Sequence, residues 1–128
     1  METGNHWETQ EYKKGSHNGE DLINRTNITK ATPCWLIAIE CGRVSYTGYT
    51  STRGYYVEIQ HDNGKVSVYQ SVSNVSVKEN DNVLRGQVIA NSGTSKLYPN
   101  DFNLHFELIN QGVNINPEKY YNKSVDEF

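Results

Sequence analysis

A chain of 128 residues has the length of one domain, enough to bury a single core. Its 12 Lys and Arg against 15 Asp and Glu leave a net charge of −3, without a run of like charge, so neither a nucleic-acid surface nor an electrostatic membrane patch is the basis of its function. No stretch approaches the ~18 apolar residues of a membrane span, and no charged-then-apolar signal opens the chain.

Val, Ile, Tyr and Thr fill the apolar stretches, Gly and Asn interrupt them at short intervals, and long helical periodicity is missing. The fold expected is mainly β with little helix. Residues 1–14 read as a polar lead-in with Trp7 and Tyr12 as its large side chains, 15–121 as one domain and 122–128 as a tail. His17-Asn18-Gly19-Glu20-Asp21 follows the lead-in, and Asn24 to Asn27 is a polar connection.

Cys34 to Ile39 reads as a strand. If it continues to Cys41, seven residues at ~3.3 Å each hold the two cysteines ~23 Å apart, beyond the ~7 Å a disulfide tolerates, so two free thiols are expected. Gly42 permits a turn, Arg43 to Gly48 alternates, and Tyr49 to Gly54 reads as a loop. Tyr55 to His61 is the next strand. Asp62-Asn63-Gly64 signals a hairpin, with positive φ expected at both residues of the Asn-Gly pair. On the return strand from Lys65 to Val72, Ser67, Tyr69 and Ser71 share a face.

His61 reads as a structural histidine pinning that turn rather than a metal ligand, and Tyr69 as a core or groove-wall aromatic rather than a catalytic phenol. Val75–Val77, Val83–Leu84 and Gln87–Ala90 are expected as short strands. Ser92 to Asn100 reads as a loop bent by Gly93 and Pro99. Asn110-Gln111-Gly112 is a second hairpin turn before a strand from Val113 to Ile115. Asn116-Pro117 is a start for one helical turn reaching Tyr121.

The chemistry concentrates in Asn103-Leu104-His105-Phe106-Glu107. Alternation puts Asn103, His105 and Glu107 on one face and Leu104, Phe106 and Leu108 on the other, so the polar three can line a groove while the apolar three pack inward. Together with His17 and Asp21 this makes a plausible zinc set, since zinc takes imidazole nitrogen and carboxylate oxygen and three protein ligands leave one position open. The same residues also read as a turn aspartate capping its own backbone and a half-exposed strand histidine.

The order of motifs decides between these readings. His17-x-Gly-x-Asp21, Tyr56 to His61 with its Asn-Gly turn, Val68-Tyr69-Gln70-Ser71, Gly86 to Ile89, Leu104 to Glu107, and Gly112-x-x-x-Asn116-Pro117 together resemble the lysostaphin/LytM-type zinc endopeptidases. The resemblance implies a LytM-like domain whose antiparallel β-sheets form a groove, with His17, Asp21 and His105 as the zinc ligands. Glu107 is a candidate partner for the ligand imidazole. Where the family carries its two proton-handling histidines this chain has Ser71 and Asn103, and neither side chain exchanges a proton near pH 7.

Val68 to Val77, with Gln87-Val88-Ile89 and Leu97-Tyr98, is similar to the degenerate sporulation branch of that family typified by stage II sporulation protein Q. This likeness implies a zinc-binding, catalytically inactive module. Its full-length protein would be anchored in the forespore membrane and face the intermembrane space, binding stage III sporulation protein AH in a ring-forming hetero-oligomer, with peptidoglycan as a further ligand. A residual zinc metalloendopeptidase acting on peptidoglycan is the alternative.

Overall fold

Side chains that alternate between apolar and polar favour strands paired over a common core, and the computed structural model of the chain is built almost entirely that way. It describes the backbone of residues 7–10, 20–23, 25–27, 30–31, 35–93 and 103–117, and the side chains of 35–93 and 104–117. The strands in chain order are β1 (Trp7–Gln10), β2 (Glu20–Ile23), β3 (Arg25–Asn27), β4 (Lys30–Ala31), β5 (Trp35–Ile37), β6 (Gly42–Thr50), β7 (Gly54–Gln60), β8 (Lys65–Ser73), β9 (Asn82–Val83), β10 (Val88–Ser92), β11 (Asn103–Asn110) and β12 (Val113–Ile115).

Among the described residues the main sheet runs β1-β2-β11-β8-β7-β6-β9, with β12 beside β11, and β10 pairing both β8 and β5. Every pairing within it is antiparallel. β3, in the stretch read as a polar connection, forms a separate two-stranded ribbon with β4 just after it, and β1 extends the sheet into the stretch read as a lead-in. The result is a curled half-barrel. Its core takes Val44 from β6, Val57 and Ile59 from β7, Tyr69 from β8 and Leu104, Phe106 and Leu108 from β11, closed by Leu36, Ile89 and Ala90 from the β5–β10 pair.

The tie between these layers is the Tyr69 hydroxyl, which donates to the Ile37 carbonyl and accepts from the Ile39 N–H, each at 2.9 Å. Tyr69 is therefore a core residue, its ring edge-on to Phe106 at 5.1 Å, and burial pushes its phenol far above the ordinary value. This bridge sits where the strand expected from Cys34 stops. β5 ends at Ile37, and residues 39–41 bend before β6, so the extended Cys34–Cys41 geometry does not hold. Cys41 is nonetheless a free, exposed thiol; Cys34 lies outside the described residues.

Three further expectations are corrected. Residues 49–54 are not a loop: β6 and β7 continue to a tight turn at 51–53, with Tyr49 opposite Tyr55 and Thr50 opposite Gly54. Residues 75–77 are not a strand; they run irregularly under the sheet, where Val75 and Val77 pack against the core. At Asp62-Asn63-Gly64 only Gly64 has positive φ, at 84°. The Gly64 N–H donates to the His61 carbonyl and the His61 N–H to the Lys65 carbonyl, which is a three-residue loop with glycine in the left-handed position rather than a two-residue turn.

The hairpin turn expected at Asn110-Gln111-Gly112 is present: Asn110 pairs with Val113, and Gln111 and Gly112 form its two-residue loop with φ of 52° and 79°. Pro117 is the last described residue, and 118–121, over which a helical turn is expected, lie outside the described residues.

His61 is the structural histidine the sequence suggested. It is 3% exposed. Its Nδ1–H donates to the Cys41 carbonyl at 2.8 Å and its Nε2 accepts from the Ser67 hydroxyl at 3.0 Å, an arrangement that uses both nitrogens of the neutral ring.

Tyr69→Phe removes the phenol oxygen that accepts from the Ile39 N–H and donates to the Ile37 carbonyl, and is expected to cost about 1–3 kcal/mol, read as a lower urea midpoint at unchanged m-value. Burial, with a smaller push from Lys65, lowers the His61 pKa against the opposing Cys41 hydrogen bond and the Glu40 and Asp62 charges. The unfolded chain therefore binds the extra proton first. Stability contributed by neutral His61 is complete above pH ~6.5 and falls as the pH drops through the folded value. The urea midpoint should decline as the pH falls below ~6.5, and His61→Gln should flatten that decline.

Candidate functional site

The groove begins on β11, where alternation works as expected. Leu104, Phe106 and Leu108 are fully buried on the core face, leaving His105 and Glu107 on the opposite face. The register then carries one row across the sheet. Asp21 of β2 lies opposite His105, Gln70 of β8 flanks His105 on the other side, Tyr56 of β7 is opposite Gln70 and Gly48 of β6 opposite Tyr56. Opposed residues of an antiparallel ladder share a face, so the row is continuous. A Cβ at position 48 would meet the Tyr56 ring at 2.9 Å, which is why glycine stands under that aromatic ring.

His105 is 2% exposed, and its Nε2 lies 2.9 Å from Glu107 Oε2. An ionised carboxylate only accepts, so Nε2 carries the hydrogen of this bond. Burial raises the Glu107 pKa. That push is outweighed by hydrogen bonds from His105 and Asn114 and by the charges of His105 and Arg53, which hold the carboxyl below its ordinary range. Asn114 Nδ2 donates to Glu107 Oε1 at 2.8 Å. Across β8, Glu58 is pushed upward, chiefly by burial and then by the charge of Glu107.

Asn114 escaped the sequence reading. Its signal was there in the hairpin, because the turn at Gln111-Gly112 sets Asn114 opposite Ile109 and hence diagonal to Glu107 on the groove face. Asn103 opens β11 opposite Ile23, two residues before His105 and so of the same parity. Its side chain lies outside the described residues, as does that of Asp21, and His17 lies outside them altogether.

Ser71 has a different setting from an open groove residue. It is fully buried with φ 65°, at the corner where β8 leaves β11 and joins β10: Gln70 pairs with His105, whereas Val72 pairs with Ser92. The Ser71 carbonyl accepts from the Gly93 N–H at 2.7 Å. A Cβ on Gly93 would come within 2.8 Å of that oxygen, so glycine is required for the close approach. The Ser71 hydroxyl has no hydrogen-bond partner among the described residues.

Among the described residues no three His, Cys, Asp or Glu are gathered as a metal set. Of the three expected ligands only the His105 side chain is described, and its imidazole, with Nε2 held by Glu107, has the outer support that metal-ligating histidines use; Asp21 is its register neighbour on β2.

Peptidase family M23 matches residues 15–117. Stage II sporulation protein Q of Bacillus subtilis (strain 168) is 45% identical over 74 residues, covering 56% of this chain and 26% of that protein, so the chain spans about a quarter of the length of this relative. A solved SpoIIQ–SpoIIIAH pore-forming complex contains a chain 34% identical with a TM-score of 0.74, the match covering 85% of this chain and 67% of the other. A crystal structure of a SpoIIIAH and SpoIIQ complex gives 27% identity and a TM-score of 0.79, covering 92% and 94%.

Ser71→Ala removes a buried hydroxyl that has no partner among the described residues, leaving the backbone corner as it is. It is expected to leave the urea midpoint of the metal-free protein unchanged or to raise stability by about 1 kcal/mol; a clear loss would mean that the hydroxyl is bonded in solution.

Proposed function

The chain belongs to peptidase family M23, and from that membership we propose a zinc-binding, catalytically inactive LytM-like domain that works as a protein–protein interaction module in sporulation. Ser71 carries this reading. In place of the family's proton-handling histidine stands a fully buried hydroxyl without a partner among the described residues, and Asn103 replaces the second one. Neither group takes and returns a proton near pH 7. Loss of general-base help costs ~10²- to 10⁴-fold.

His105 through Nδ1, Asp21 and His17 would hold the zinc, with Glu107 and Asn114 orienting the imidazole. When bound, zinc supplies a Lewis acid that polarises a water or a carbonyl. In this chain its use would be structural, tying the His17–Asp21 stretch to β11. The likeness to stage II sporulation protein Q and to chains in SpoIIQ–SpoIIIAH complexes supports a SpoIIIAH-type partner. By the same likeness the full-length protein would be anchored in the forespore membrane and face the intermembrane space, as one part of a ring-forming hetero-oligomer. The alternative, a residual zinc metalloendopeptidase acting on peptidoglycan, is favoured by one observation, the register that keeps Asp21 opposite His105.

Metal analysis and a peptidase assay separate the two. The purified chain should hold one zinc, His105→Ala should lose it, and Glu107→Gln should weaken zinc affinity ~10- to 100-fold. Defined cell-wall peptides should stay uncut by the zinc-loaded protein. Cleavage abolished by His105→Ala would establish the residual peptidase instead.

A further inference from the structure

β6 ends the long path of the sheet unevenly. Its outer side is covered only at the start, where β9 pairs Gly42 with Val83 and Arg43 with Asn82. There the Val44 N–H donates to the Asp81 carbonyl and the Val44 carbonyl accepts from the Asn80 N–H. Beyond Val44 the lane beside β6 holds no described strand, although β6 runs on to Thr50.

The direction of the open groups follows from the ladder. Val44 bonds outward, so its pair with Ile59 is not hydrogen-bonded within the hairpin. After the irregularity between Val44 and Tyr46, the pairs Thr47–Val57 and Tyr49–Tyr55 have the same character. The N–H and C=O groups of Thr47 and Tyr49 therefore face the lane in which no strand is described.

The side chains beside this lane are aromatic and uncovered. Tyr46, Tyr49 and Tyr55 are 57%, 63% and 57% exposed, and Tyr49 and Tyr55 meet edge-on at 5.1 Å. Thr47, Tyr49, Tyr55, Val75 and Val77 line an open cavity of about 340 Å³. Backbone donors and acceptors in strand spacing select an extended polypeptide over a sugar or a lipid, because only a strand pairs with both residues at once. The adjoining hollow accepts the apolar side chains that such a strand turns to one face at every second position.

We propose that the outer edge of β6 from Ser45 to Thr50 is the docking site for a strand of the protein partner. That strand adds to the sheet in line with the 80–83 segment and packs an apolar residue between Tyr49, Tyr55 and Val77. This inference rests on the interaction-module reading of the preceding subsection and names the surface it uses.

The test measures binding of the full chain to the SpoIIIAH domain of the solved complexes by calorimetry. It compares the unmodified chain with Thr47→Pro, Tyr49→Pro and the control Thr47→Val. Proline at 47 or 49 removes an N–H that makes no bond to β7, so the hairpin is retained. Each proline variant should bind at least roughly ten-fold more weakly, and Thr47→Val should bind as the unmodified chain does. In the unmodified complex, the amide protons of Thr47 and Tyr49 should become protected from exchange.

Unchanged affinity in both proline variants, or amides that stay unprotected in the complex, would overturn the docking site and leave the interaction role standing. No binding by the unmodified chain would overturn both. Self-association of the chain alone that is lost in Thr47→Pro would assign the edge to a second copy and overturn the proposal.

Discussion

The register of β11 between β2 and β8 is the constraint on which everything else depends. In a strand whose two faces differ so sharply, a slip of one residue would send His105 and Glu107 into the core and bring Leu104, Phe106 and Leu108 to the groove. Two devices oppose that slip. The left-handed pair Gln111-Gly112 fixes how β12 returns along β11, and Phe106 meets Tyr69 edge-on directly across the ladder. Tyr69 in turn is tied by its hydroxyl to both sides of the bend after β5. The groove face is thus positioned by contacts made wholly on the other face of the sheet.

Alternation from Asn103 to Leu108 was enough to identify both faces of β11, and the pairing of His105 with Glu107 was legible because two residues along a strand share a face. Local pattern failed where the chain departs from its period. Residues 75–77 alternate like a strand, yet Val75 and Val77 find their cover against the core without joining a ladder. Cys34 to Cys41 looked like one apolar strand, but the bend at 39–41 depends on the Tyr69 hydroxyl, 30 and 32 residues away from Ile39 and Ile37 in sequence. The hairpin of β6 and β7 was hidden by its polar, glycine-punctuated tip, which reads equally well as a loop. Asn114 was missed because its role appears only once the hairpin register is known.

The positions that depart from the family pattern differ in physical character. On the ligand side the supports are intact: Glu107 engages both the His105 ring and Asn114, and its carboxyl is held ionised. On the proton-handling side, Ser71 occupies a corner where β8 exchanges one partner strand for another, its carbonyl clasped by Gly93. Position 71 is thus constrained by backbone geometry whatever its side chain. A serine is accommodated there with the pairing of β11 to β2 and β8 intact, so the proposed loss of proton transfer at this position is compatible with the sheet and its register.

The same sheet connects the proposed ligand side to the proposed docking edge. The row from Asp21 through His105, Gln70 and Tyr56 ends at Gly48, and Gly48 lies between Thr47 and Tyr49, whose backbone groups face the lane in which no strand is described. Because strands transmit position through pairing, holding the β2 end of the row with a metal and filling the β6 end with a partner strand act on one rigid body. On the proposed reading of a zinc-holding domain without turnover, a bound metal would have a use beyond catalysis: ordering the sheet beforehand lowers the entropy that a partner must otherwise offset when it adds a strand.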